Sequence, residues 1–191
     1  MNRKVLYLVA TMFFVTCNKE EPIDNTPFVV EVAISYAGSV KAMIGTYQKL
    51  SNGEYGLQQY EFTSITEENS GFKLNLPATL PHELILFNRF IGEGFTVSDI
   101  QARTSTLSIS TVDSYDGRPV GVFSLSSDGY EWSAEYVYAD RDFTEKGTNV
   151  YGLQMDCSYK KGWNIVYQHD KKITTQKPFN EIFRWIFHAR T

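Results

Sequence analysis

Its 191 residues are enough for one domain with a real core, and contents of 42% hydrophobic and 21% charged residues are ordinary for a globular protein. The formal charge of −4, with no dense Lys/Arg stripe, argues against nucleic-acid binding, which needs a basic footprint. Aromatics are abundant (13 Phe, 12 Tyr and 3 Trp), and such residues suit the pleated, half-buried faces of strands.

The chain opens MNRKVLYLVATMFFVTC. Arg3 and Lys4 make a short basic n-region. Val5 to Val15 is apolar except for Thr11, and the polar run Asn18-Lys19-Glu20-Glu21-Pro22 follows at once. The apolar run falls well short of the roughly 20 residues of a bilayer-spanning helix. It matches the h-region of a secretory signal, about 7–15 residues.

The run ends in Cys17, and in this the segment resembles the bacterial lipoprotein signal, which is cleaved before a Cys that is then acylated. Phe14 stands where Leu is commonest, and Thr16 where Gly, Ala or Ser is commonest. Lipoproteins of the Bacteroidota tolerate that looseness. They often carry acidic residues just after the Cys, as Glu20 and Glu21 do here, and in that group such a stretch acts as a surface-export signal. The resemblance implies a signal peptide over residues 1–16, palmitate-type acyl chains on Cys17, and a flexible tether to residue 27. It also implies an outer-membrane lipoprotein of the cell envelope, exposed at the cell surface. Without Arg3 and Lys4, 16 basic residues face 22 acidic ones, so the mature charge is −6. With Cys17 acylated, Cys157 is the other thiol and no intramolecular disulfide forms in the mature chain. Cys157 ends the strand-like run from Tyr151, where a buried, inert Cys is expected.

From Phe28 the pattern has period two: Phe28, Val30, Val32, Ile34 and Tyr36 share one face of a strand. Ala37-Gly38-Ser39 turns the chain and Val40 to Lys49 returns. Ser51-Asn52-Gly53 turns it again. Tyr55 to Thr63 and Phe72 to Leu76 continue the pattern, Pro77 and Pro81 break it, and Leu84 to Phe90 resumes it. Thr106 to Val112 is β-branched and alternating. Asp113 to Gly117 turns into Val120 to Leu125, and Ser126 to Gly129 turns into the clearest strand of the chain. There Tyr130, Trp132, Ala134, Tyr136 and Tyr138 alternate with Glu131, Ser133 and Glu135. Tyr151 to Cys157, Trp163 to Gln168 and Lys171 to Gln176 follow. In Glu181 to His188 the aromatic and β-branched content favours a closing strand over a helix.

No stretch has a sustained helical period, and nine to eleven short strands suggest a sandwich or barrel. The expected fold is all-β: one domain over residues 28–191, an antiparallel β-sandwich of Ig-like or transthyretin-like form, with a lipocalin-like β-barrel as the alternative. The segments Tyr136 to Thr148 and Asp156 to Asn164 resemble uncharacterised small lipoproteins of the Bacteroidota, which implies no particular activity.

Catalytic signals are absent. His82, His169 and His188 are far apart in sequence, without metal-ligand or catalytic spacing. The serines at 105, 108, 110, 124, 126 and 127 lie in no nucleophile elbow and read as solvent-facing strand and turn residues. Two acidic clusters, Asp113 with Asp116 and Asp140 with Asp142, stand in turns. Oxygen-rich loops hold Ca²⁺, but Asp in turns more often bonds its own backbone, and neither cluster has calcium-loop spacing. Trp132, Tyr136 and Trp163 are the candidate ligand-binding residues: exposed, they would stack on sugar rings, whereas an alternating strand normally buries such a face. The reading is therefore a non-enzymatic binding or accessory protein without a cofactor. It is anchored to the membrane through Cys17, with a glycan or a protein as ligand. A structural or adhesive surface subunit and a hydrolase with an unrecognised site are the alternatives.

Overall fold

The computed structural model describes residues 28–49, 55–61, 65–68, 71–82, 85, 93–113 and 115–190. In β1 (Phe28–Val32), Val30 and Val32 turn inward and Val29 and Glu31 outward, as the period-two pattern requires. Gly38, at φ 84°, turns the chain into β2 (Ser39–Lys49), and β3 (Tyr55–Glu61) returns antiparallel beside it. A short strand missing from the sequence reading, β4 (Ile65–Glu68), forms a hairpin with β5 (Gly71–Leu76). β5 also pairs with β1, giving a three-stranded sheet in the order β1-β5-β4. The strand expected over Leu84 to Phe90 lies outside the described residues apart from Ile85.

The remaining strands are β6 (Thr96–Val97), β7 (Thr104–Val112), β8 (Pro119–Ser127), β9 (Ser133–Ala139) and β10 (Phe143–Thr148). They continue with β11 (Gln154–Tyr159), β12 (Gly162–His169), β13 (Lys172–Thr174) and β14 (Phe183–Ala189). With β2 and β3 they form one long sheet, β3-β2-β7-β8-β9-β12-β13-β11-β10-β6, with β14 alongside β8. Only β11 and β13 pair in parallel among the described strands. The C-terminal segment is a strand, as expected. β10 was not expected: its six residues alternate Phe143 and Glu145 inward behind a three-residue bend of charged side chains. β9 is shorter than its pattern suggests. Tyr130, at φ 59°, belongs to the preceding turn, which Ser127 and Trp132 close by mutual hydrogen bonds.

The fold is an antiparallel β-sandwich. The long sheet does not close on itself, so the barrel alternative falls away. The main core lies between the small sheet and the β2–β7–β8 part of the long one. Val30, Val32, Phe72, Leu74 and Leu76 from one side meet Val40, Ala42, Leu107, Ile109 and Phe123 from the other. A cluster of rings ties the layers together: Phe72 packs edge-on to Phe123 at 5.1 Å, Phe123 lies 5.1 Å from Phe187, and Tyr36 sits edge-on to all three. Phe187 lies directly over Gly121, where any Cβ would collide with its ring. A second core forms on the opposite face of β9 and β12, where the sheet curls through β11 and β10. There Val137, Ala139 and Val166 meet Phe143, Cys157 and Tyr159.

One constraint shapes the long sheet. β7 is antiparallel to β8, β8 to β9, and β7 to β9. Straight strands cannot all be mutually antiparallel, since two reversals restore the original direction. Each pair therefore shares only its ends: Thr104 to Thr106 with Val137 to Ala139, Ser110 to Val112 with Pro119 to Val122, and Leu125–Ser126 with Ser133–Ala134. The middles of the three strands border an opening of about 260 Å³. The ladder shifts register between Thr111 and Val112 at its edge.

Two substitutions test this account of the core. Phe72 is buried between the layers, so Phe72→Ala should lower stability by about 3–5 kcal/mol, the usual cost of truncating a core aromatic. Thr111 is buried with its hydroxyl unbonded. Thr111→Val removes that unmet group and should raise stability by about 1 kcal/mol in denaturant titration.

Candidate functional site

Between β13 and β14 the chain must pass β12, β9 and β8, because β13 lies beyond β12 and β14 lies beyond β8. That is four inter-strand steps, on the order of 19 Å. The eight residues from 175 to 182 reach about 28 Å when fully extended, so the segment is drawn across the end of the sheet as a strap. Thr175 Oγ1 accepts from Ser158 N at 2.8 Å at its start, and Asn180 takes φ 65° near its tip. At its end Asp128 N donates to Ile182 O, and Arg184 pairs with Asp128 at 2.7 Å.

The strap separates two grooves. The inner one, about 400 Å³, is floored by Leu125, Tyr136, Ile165, Tyr167, Phe183 and Trp185, with Glu31, Lys177 and Ile182 at its rim. Its rings are ordered: Tyr136 stacks on Trp185 at 6.0 Å, and Tyr167 packs on Phe183 at 5.0 Å. Burial raises both tyrosine hydroxyls above their ordinary range, Tyr136 also through its proximity to Tyr167. The small sheet covers the neighbouring part of this face but stops short here, and Phe28 at the start of β1 meets only the edge of Tyr136. The outer groove, about 480 Å³, runs between Trp132, Asp156, Lys172 and Thr174 on one side and the strap on the other. Trp132 stacks on His169 at 5.0 Å, and Phe179 of the strap is 91% exposed.

The three ligand-binding candidates therefore separate. Tyr136 lines the inner groove and Trp132 the outer one, and both are half-buried side chains packed against the edge of the core. Trp163 belongs to neither: it packs on Tyr138 at 5.4 Å, and its indole N–H donates to Pro77 O at 2.9 Å under the segment before Ile85. Sequence reasoning missed Tyr167, Phe183, Trp185 and the strap. Pro178-Phe179-Asn180 read as a connection, and nothing local shows that it must span a sheet.

The acidic turns use their oxygens within the protein, Asp113 and Asp116 inside their own turn and Asp140 and Asp142 partly on segments distant in sequence. Asp113 accepts from Tyr115 N and Asp116 N, and Asp116 accepts from Arg118 N and pairs with its guanidinium. Asp140 accepts from Arg103 N at 2.8 Å and pairs with Arg141. Asp142 takes the Lys160 ammonium and Lys161 N, which hold its carboxyl below the usual range. Among the described residues no three His, Cys, Asp or Glu side chains are grouped to hold a metal ion. Cys17 lies outside the described residues. Cys157 is fully buried, and burial pushes its thiol up to about 11, which keeps it protonated and unreactive.

Around the opening between β7, β8 and β9, the outer face carries Thr106, Ser108, Ser124, Ser133 and Glu135. Ser124 Oγ and His188 Nε2 lie 2.7 Å apart, a contact that only the β8–β14 pairing creates. Among the described residues no carboxylate holds the other ring nitrogen of His188, so the pair lacks the group that orients the base in a nucleophilic triad. Comparison of the chain with family models, with curated proteins and with solved structures finds no match to any of them.

Glu135 reaches solvent at the mouth of the opening, yet the surrounding strand walls raise its carboxyl above the ordinary range. A folded pKa above the unfolded one means the folded state holds the extra proton in that window, so stability falls as pH rises through it. Glu135→Gln stays neutral throughout. Its melting temperature should exceed the parent's at neutral pH, and the gap should close as the pH drops below the ordinary carboxylate range.

Proposed function

We propose that this is a lipid-anchored binding protein of the cell envelope, non-enzymatic, holding its ligand in the inner groove beside the strap. The observation that carries the binding role is the groove's floor. Tyr136 and Trp185 are stacked, Tyr167 and Phe183 are packed, and all four rings, anchored on a small cluster of Leu125, Ala134 and Tyr167, line the groove. The two tyrosine hydroxyls have no protein partner among the described residues and are free for a ligand.

The anchor rests on the signal layout. One acyl chain holds a protein only reversibly, at about 0.8 kcal/mol per buried methylene, and two or three on Cys17 would make release negligible. The polar stretch from Asn18 to Pro27, with Glu20 and Glu21, would then space the domain from the outer membrane, on the surface side. Among the described residues no helix is long and apolar enough to cross a membrane.

Cys17→Ser tests the anchor. Cells fed radioactive palmitate should label the parent protein and not the variant, which should accumulate as the unprocessed precursor. Equal labelling of the two would overturn the anchor.

A further inference from the structure

The inner and outer grooves share Lys177, and the strap between them carries a depression of its own, lined by Lys177 to Ile182. The three hollows adjoin one another at Lys177. The geometry points to one extended site crossing the strap, whose ligand is a neutral oligosaccharide with sugar rings seated on aromatic platforms in both grooves. This rests on the inner-groove reading above and adds the ligand's class and the site's reach.

Charge supplies the first argument for that class. The outer groove holds two acids, Asp156 and Glu181, and two bases, Lys172 and Lys177. Among the described residues none of the four is ion-paired. A site for an anion or a cation concentrates one sign, whereas an even set of free donors and acceptors suits a ligand that is uncharged and offers hydroxyls of both kinds. Aromatic placement is the second. Trp132 and Phe179 flank the outer groove, and Trp185 stacked on Tyr136 floors the inner one, so each hollow offers ring surface to the apolar face of a pyranose beside polar groups for its edges. The third argument weighs against a lipid. A lipid chain needs an enclosed cavity, and these grooves are open.

The test uses the full-length lipidated protein in a sugar-free detergent, titrated calorimetrically with cellohexaose, laminarihexaose, maltohexaose, xylohexaose and mannohexaose. At least one should bind, and the matching disaccharide should bind much more weakly. Trp132→Ala and Trp185→Ala should each weaken the hexasaccharide by about tenfold, the loss expected for one ring platform. Phe179→Ala, at an exposed position that folding does not need, serves if Trp132→Ala fails to fold. Loss on Trp185→Ala with no change on both outer-groove variants would overturn the extended site and leave the inner groove standing. If no hexasaccharide binds at millimolar concentration, the ligand class is wrong. A hydrophobic dye that fluoresces with the parent and not with Trp185→Ala would then show the inner groove still competent, and a dye indifferent to that substitution would overturn the groove itself.

Discussion

Three strands cannot each run antiparallel to both of the others, and the way β7, β8 and β9 meet that constraint organises the molecule. Because each pair shares only its ends, the long sheet fans out from their meeting point in three directions. One branch runs to β2 and β3, one to β14, and one through β12 to the curled edge at β6. The first branch lies under the small sheet and makes the main core. The third needs a second core on its other face. The second brings β14 beside β8, which forces the strap and so creates the grooves.

The aromatic residues divide according to this geometry. Where the small sheet covers the fan, rings interlock between layers, as Tyr36, Phe72, Phe123 and Phe187 do. Towards its edge, rings of the same kind on the same inward face are only partly covered, as where Phe28 meets Tyr136 edge-on. Tyr138 and Tyr136 lie two residues apart on one face of β9, yet Tyr138 is 2% exposed while Tyr136 lines a groove. Apolar burial drives both inward. Whether a second layer arrives decides between core and site.

The polar features follow the same logic. Asp113 and Asp116 satisfy backbone N–H groups of their own turn, while Asp140 and Asp142 tie their turn to Arg103 and to Lys160 and Lys161. The hydroxyls and Glu135 around the opening hold their positions because the strands splay. A continuous ladder would have paired Ser124 opposite Glu135, in step with the Leu125–Ala134 pair.

The sequence by itself determined most of the strands, though not β4. Alternation over Phe28 to Tyr36, Thr106 to Val112 and Tyr130 to Tyr138, with Gly, Asn, Asp and Ser between the runs, is a local property of side-chain pattern and turn chemistry. The buried position of Cys157 was legible for the same reason. β10 and the short β9 were not, since a charged bend and a left-handed Tyr130 look like continuations of their surroundings. Only the tertiary structure decided which inward faces are covered, that Ser124 meets His188, and that residues 175–182 span a sheet. Those outcomes depend on pairings between segments distant in the chain, such as β8 with β14, and residue periodicity specifies which face a side chain takes but not which strand lies next to it.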